Sequence, residues 1–157
     1  MTRKIRQAAV IGSGVMGGGI AALLASAGIK TLLLDIVPFD LTPEEATDPT
    51  ARNRIAKAGL DTVLISQPAL LMRKKDASLI SIGNLEDDFD KLADCDWIIE
   101  VVVENMAIKK KVLAQVAEHR KAGSIVSTNT SGLAVGGMSE DCPEEMQKHF
   151  LGTHFFN

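Results

Sequence analysis

The stretch VIGSGVMGGGIAALLASAG, Val10 to Gly28, passes from apolar to glycine-rich to small and helical. Ile5 to Ile11, short, apolar and partly β-branched, is predicted as a buried strand. Val15 to Ala27 combines strong helix formers with repeated small residues, so it is predicted as a helix packed close to a sheet, and Gly28 closes it. Thr31 to Asp35 (TLLLD) is a second apolar strand ending in an acid. Strand, turn, helix, turn and strand make a βαβ unit, whose two strands should lie parallel.

The same alternation continues outward. Val37 to Thr50 carries three prolines and many acids and is predicted as an irregular connection. Ala51 to Ser66 is predicted helical, with Ile55, Leu60, Val63 and Leu64 roughly on one face. Pro68 opens a short apolar turn. Arg73, Lys74 and Lys75 form a basic cluster, expected as a solvated helix end or a weak anion contact. Ser78 to Ile82 is a short strand and Leu85 to Ala93 a short acidic helix. Trp97 to Val103 (WIIEVVV) is apolar on both faces, as a central parallel strand should be. Ala107 to Arg120 is a helix with Val112, Leu113, Val116 and Ala117 inward. Ser124 to Thr128 is another strand, and Phe150 to Phe156 begins a last one. The chain is therefore expected to be α/β, with a doubly wound, mostly parallel sheet in a Rossmann-like dinucleotide-binding fold.

Composition narrows the function. With 157 residues there is room for one domain with a real core. A net charge of −3 and an absence of tyrosine argue against nucleic acid, which needs clustered positive charge and stacking surfaces. No apolar run approaches the ~18 residues that span a bilayer, so no membrane insertion is expected. The basic start MTRKIRQ leads straight into the glycine turn and leaves no room for a cleaved signal. Cys95 and Cys142 are far apart, with neither a disulfide framework nor CxxC spacing for zinc, so no metal is expected and a cytoplasmic location is.

GSGVMG fits GxGxxG through Gly12, Gly14 and Gly17, between a predicted strand and a predicted helix. Gly12 permits the sharp turn, Gly14 lets the backbone approach a pyrophosphate, and Gly17 lets the helix pack close to the sheet. The amides that open the helix, those of Val15 and Met16 among them, then face the phosphates. Asp35 lies 18 residues beyond Gly17. A carboxylate there accepts from an adenosine ribose 2′-OH and repels a 2′-phosphate, and no arginine follows it, so NAD is expected rather than NADP.

Three further stretches end or follow predicted strands: VVVENMAIKKKV (101–112), STNTSGL (127–133) and GTHFFN (152–157). In an open parallel sheet that edge binds ligands. Glu104, Asn129, Ser131 and His154 are thereby candidates for one crevice. On residue type alone, His154 among phenylalanines is a core residue, Ser131 a turn or cap, Glu104 a helix-capping acid and Lys109 one of a solvated lysine run. His119 and His149 lie in no motif and are expected to be structural.

In this order, the glycine turn, the VxEN–xxxK segment, the NTS stretch and the HFFN stretch resemble the NAD-binding domain of L-3-hydroxyacyl-CoA dehydrogenases along essentially the whole chain. The resemblance implies oxidation of an (S)-3-hydroxyacyl-CoA to the 3-ketoacyl-CoA in fatty-acid β-oxidation, with NAD taking the hydride. It implies that His154 is the catalytic base and that Ser131 holds the substrate oxygen. It puts Glu104 and Lys109 at the nicotinamide ribose, and Asn129 and Asn157 near the nicotinamide and the substrate oxygen. A base of this kind contributes about two to four orders of magnitude in rate.

The family pattern continues past Asn157 with a proline, an acid that orients the histidine, and a helical domain that shapes the acyl pocket and forms a homodimer. Residues 1–157 are accordingly expected to be a truncated NAD-binding domain. Its partners would be an acyl-CoA and the C-terminal domain of the same protein, and alone it would bind NAD with little turnover. The segment ARNRIAKAGLDTVLISQPALLM resembles the prokaryotic multifunctional members fused to an enoyl-CoA hydratase, and leaves the CoA contacts unassigned. Two other functions fit the dinucleotide turn: a non-catalytic NAD-binding sensor or structural module, and a dehydrogenase of small 3-hydroxy acids.

Overall fold

The structure, a computed structural model, describes residues 4–156. β1 (Gln7–Ile11), β2 (Lys30–Asp35), β3 (Ile80–Asn84), β4 (Trp97–Glu100), β5 (Ile125–Thr128) and β6 (Phe150–Gly152) form one sheet in the order β3-β2-β1-β4-β5-β6. Every pair is parallel. The order reverses between β1 and β4, which opens a crevice at the carboxyl ends of those strands.

Side chains alternate across β1. Ala8 and Val10 pack with Ile20, Ala21 and Leu24 of α1 (Val15–Ser26) on one face. Ala9 and Ile11 pack with Val112, Leu113 and Val116 of α4 (Met106–His119) on the other. Both faces are covered, which is why the central strands read as unbroken apolar runs. The same layer includes α5 (Val135–Ser139) and α6 (Glu144–Gln147), which bury Met138 and Met146 in the α4 core beside Phe89 and Leu92.

Four of the expected boundaries move for visible reasons. The strand predicted to run to Val103 ends at Glu100, whose carboxylate takes the Val102 N–H (2.7 Å) and turns the chain. The helix predicted over 51–66 is two: α2 (Pro49–Arg52), capped by Asp48, and α3 (Arg54–Ile65). They break at Asn53, whose Oδ1 accepts from Asn84 Nδ2 of β3 (2.8 Å). Val63 is buried as expected, but Leu64 is exposed. The acidic helix predicted over 85–93 is instead a 3-10 turn at Phe89–Asp94, because the Asp88 carboxylate folds back onto the Asn84 N–H (2.8 Å). The strand predicted at 78–82 starts at Ile80, after a 3-10 turn at Lys74–Leu79. In the basic cluster, Arg73 pairs with the buried Asp76 (2.9 Å), while Lys74 and Lys75 are exposed.

At the opposite end of the sheet Asp96 joins three segments. Its Oδ2 accepts from Arg6 N–H (2.8 Å) and Gln7 N–H (3.1 Å), and its Oδ1 from Lys121 Nζ (2.6 Å). Lys121 first, then these amides, hold the carboxyl down at about 2. A depressed acid stabilises the fold above its ordinary value and loses that contribution as pH falls toward its folded value. Asp96→Asn is expected to lower the unfolding free energy by about 1–2 kcal/mol at pH 7, with the gap narrowing below about pH 4. Urea denaturation across that range checks it.

Candidate functional site

Three backbones meet where β1 enters α1. Gly12 has φ +106°, and a Cβ there would stand 2.6 Å from the Val101 carbonyl oxygen that follows β4. A Cβ on Gly17 would overlap the Gly12 carbonyl oxygen. Gly59, on α3, faces Ser13 so closely that a Cβ would strike the Ser13 backbone. Gly14 differs: a Cβ there would meet no atom within 4 Å. Gly12, Gly17 and Gly59 are thus required by packing, whereas the space above Gly14 is open. Gly14 is the N-cap of α1 and makes no side-chain cap bond, so the amides at that helix start are available to an anion. A diphosphate fits this cradle.

The crevice has two lobes around Gly14 and Val15. One, of about 430 Å³, lies between Asp35, Ser13 and α3 residues Ile55, Gly59 and Thr62. The other, of about 340 Å³, is lined by Val15, Met16, Gly17, Glu104, Lys109 and Asn129. Asp35 stands at the end of β2, but its carboxylate is already engaged. Oδ2 accepts from both the N–H and the Oγ–H of Ser13 (2.6 Å each), and Oδ1 from Ile36 N–H (2.8 Å). Each carboxylate oxygen can accept two hydrogen bonds, so Oδ1 retains capacity for a ribose hydroxyl.

At the second lobe the acids and Lys109 form a network. Lys109 is 1% exposed on α4 and donates to Glu100 Oε1 (2.8 Å) and to the Val102 carbonyl (3.0 Å). Its Nζ is also 3.5 Å from Glu104 Oε2. Glu104 Oε1 accepts from Thr130 Oγ1, and from the N–H groups of Ser131 (3.3 Å) and Gly132 (3.1 Å). The Thr130 hydroxyl foremost, with help from these amides and from Lys109, holds the Glu104 carboxyl below its usual range. Lys109 is therefore no member of a solvated run; it is the cation beneath Glu104. The helix-capping role belongs to Asn105, whose Oδ1 accepts from Ile108 N–H (3.1 Å).

Asn129 Oδ1 accepts from Phe155 N–H (2.8 Å), and Thr128 O accepts from Thr153 N–H (2.9 Å). These bonds flank His154 and tie its segment to the end of β5, two residues before Ser131. His154 is exposed and stacks on Phe156 (4.8 Å between centroids), and Ser131 is exposed on the adjoining loop. Asn157 lies outside the described residues. His119 and His149 are anchored elsewhere, to the Gln115 and Glu145 carbonyls. Sequence reasoning missed Glu100, although a charge inside an apolar strand signals it, and Gly59, although a glycine inside a helix does.

A family model described as 3-hydroxyacyl-CoA dehydrogenase, NAD binding domain, matches residues 7–157. The chain belongs to this family. It is 55% identical over its full length to a probable 3-hydroxyacyl-CoA dehydrogenase of Bacillus subtilis, and spans 21% of that protein. It is 38% identical to a putative fatty acid oxidation complex trifunctional enzyme of Rickettsia felis, again over the full chain and 21% of the relative. Among solved structures, 3-hydroxybutyryl-CoA dehydrogenase from Escherichia coli superposes with a TM-score of 0.72 at 30% identity, covering 99% of this chain and 30% of that one. The chain thus spans about a fifth of the length of these two curated relatives. As a 3-hydroxyacyl-CoA dehydrogenase NAD-binding domain it takes NAD as its cofactor, and the Gly14 cradle is the feature that fits it.

Gly14→Ala is expected to keep stability within about 1 kcal/mol while weakening NAD binding at least about tenfold. Gly17→Ala is expected to lose both, because its Cβ has no space even without cofactor. Thermal denaturation beside calorimetric NAD titration separates the two.

Proposed function

We propose that the chain is the cofactor domain of a dehydrogenase that oxidises an (S)-3-hydroxyacyl-CoA to the 3-ketoacyl-CoA in fatty-acid β-oxidation. When bound, NAD accepts the hydride that leaves C3 of the acyl chain. His154 removes the hydroxyl proton as that carbon becomes a carbonyl. Ser131 donates to the same substrate oxygen. Asn129 orients the histidine segment through Phe155, Glu104 faces the nicotinamide ribose with Lys109 beneath it, and Asp35 accepts from the adenosine ribose. The family resemblance assigns Asn157 to the nicotinamide as well.

The observation that carries this reading is the Asn129–Phe155 hydrogen bond, 2.8 Å. It fastens the only histidine in a family motif to the strand end that leads into Ser131, at the carboxyl edge where the glycine turn also opens. A dinucleotide sensor has no use for an imidazole held there.

The relatives are several times longer than this chain. We propose that a further helical domain of the same protein supplies the acyl pocket, the carboxylate partner of His154 and a homodimer surface. Among the described residues no carboxylate forms an ion pair with His154. Among the described residues, too, no helix is long and apolar enough to cross a membrane. Two separate, buried free thiols suit the reducing cytoplasm, where we propose the protein works.

The test is the oxidation of NADH with acetoacetyl-CoA, followed by absorbance. In the protein that carries this chain, His154→Ala is expected to lower kcat by about 10²–10⁴ with NAD affinity unchanged. An unaltered kcat would remove His154 from the chemistry. Residues 1–157 alone are expected to bind NAD with little turnover, and turnover at the rate of the longer protein would remove the need for a second domain.

A further inference from the structure

Glu100 has no place in the chemistry above, yet it is a carboxylate with 0% exposure in the middle of the sheet edge that binds the cofactor. All of its capacity faces inward. Oε1 accepts from Val102 N–H (2.7 Å) and Lys109 Nζ (2.8 Å), and Oε2 from Thr128 Oγ1 (2.5 Å), the side chain of its register partner on β5. Stability does not explain it, because a buried ion pair can often be replaced by apolar side chains without loss.

The network explains it through Glu104. Lys109 has three N–H bonds. Glu100 and the Val102 carbonyl take two directions, and the third side of the ammonium is left toward Glu104 Oε2 at 3.5 Å. The Thr130 hydroxyl and two loop amides hold Oε1 of Glu104 from the other side. Of the three charged groups only Glu104 is exposed at the cleft, its side chain 45% exposed against 1% and 0% for Lys109, which lies in the cleft floor, and Glu100. Were Glu100 neutral, a desolvated ammonium would keep Glu104 as its one carboxylate partner and draw it inward. With Glu100 present, the buried positive charge is compensated from below and Glu104 stays at the cleft surface.

We propose that Glu100 is a positioning residue for the cofactor: by satisfying Lys109 from within the sheet it leaves the Glu104 carboxylate placed to accept from the nicotinamide ribose. The proposal rests on Glu104 as the cofactor-facing acid.

A double-mutant cycle tests it in the protein that carries this chain, with NAD as the titrant. Glu104→Gln and Glu100→Gln are each expected to weaken NAD about tenfold, and the double variant to bind no more weakly than Glu104→Gln alone. The KM for acetoacetyl-CoA should not change in Glu100→Gln. A double variant that loses the product of the two single effects overturns the proposal, as does Glu100→Gln at native affinity while Glu104→Gln is weakened. Native affinity in Glu104→Gln removes the role of Glu104, and the proposal with it. Should Glu100→Gln fail to fold, Glu100→Gln combined with Lys109→Met removes both buried charges. No ammonium is then left to draw Glu104 inward, so adding Glu104→Gln to that pair is expected to weaken NAD about tenfold, as it does in the native background. NAD affinity that Glu104→Gln leaves unaltered in that background overturns the proposal.

Discussion

The structure depends on one close approach: the Cα of Gly17 against the Gly12 carbonyl oxygen. It lets α1 start within three residues of β1 and lie flat on the sheet. The same turn receives the chain after β4, whose Val101 carbonyl sits where a Gly12 side chain would be, and α3, whose Gly59 sits against Ser13. A helix dipole, the switch between β1 and β4, and the wall of the lobe beside Asp35 therefore share one packing node. The cleft is the volume left on the solvent side of that node, above Gly14.

A second constraint is electrostatic. Breaking a buried pair such as Glu100–Lys109 by removing one partner costs about 3–5 kcal/mol, against a total domain stability of about 5–15. The carboxyl ends of β4 and β5, joined by Glu100 and Thr128, are consequently rigid where the glycine turn is also rigid. Ser131 and His154 are the exposed groups, on the loop and segment that this rigid floor carries. Exposed polar groups at the rim with fixed charges beneath them is the arrangement expected of a preorganised site.

The βαβ core was legible because buried parallel strands carry apolar residues on both faces, and TLLLD and WII announce themselves. The glycine turn was legible because strand, glycines and helix occur in order. Where the text misled, a polar side chain had found a hydrogen-bond partner: Glu100 took the Val102 amide and ended β4 early, Asp88 took the Asn84 amide and turned the chain after β3, and Asn53 accepted from the Asn84 side chain where a helix splits. The first two partners are near neighbours and the third lies 31 residues away, but all three bonds are polar, so hydrophobic periodicity does not register them. Lys109 is the sharpest case. Three consecutive lysines read as a solvated face, yet the first is among the largest fully buried side chains, and Lys110 pairs with Glu140 and Asp141. The pairing that submerged Lys109 begins with Glu100, an acid nine positions earlier on a strand.

The bond between Asp35 and Ser13 carries a consequence for altering nucleotide preference. If the acid were removed to admit a phosphorylated adenosine ribose, the amide of Ser13, which is only 5% exposed, would lose its acceptor, and the hydroxyl would keep only the Ile55 carbonyl (3.3 Å). An orphaned buried amide costs about 1–3 kcal/mol. Under the proposed placement of the nucleotide, exchange of coenzyme therefore takes more than the loss of a carboxylate: whatever replaces the tip of the second strand must also offer the first turn an acceptor.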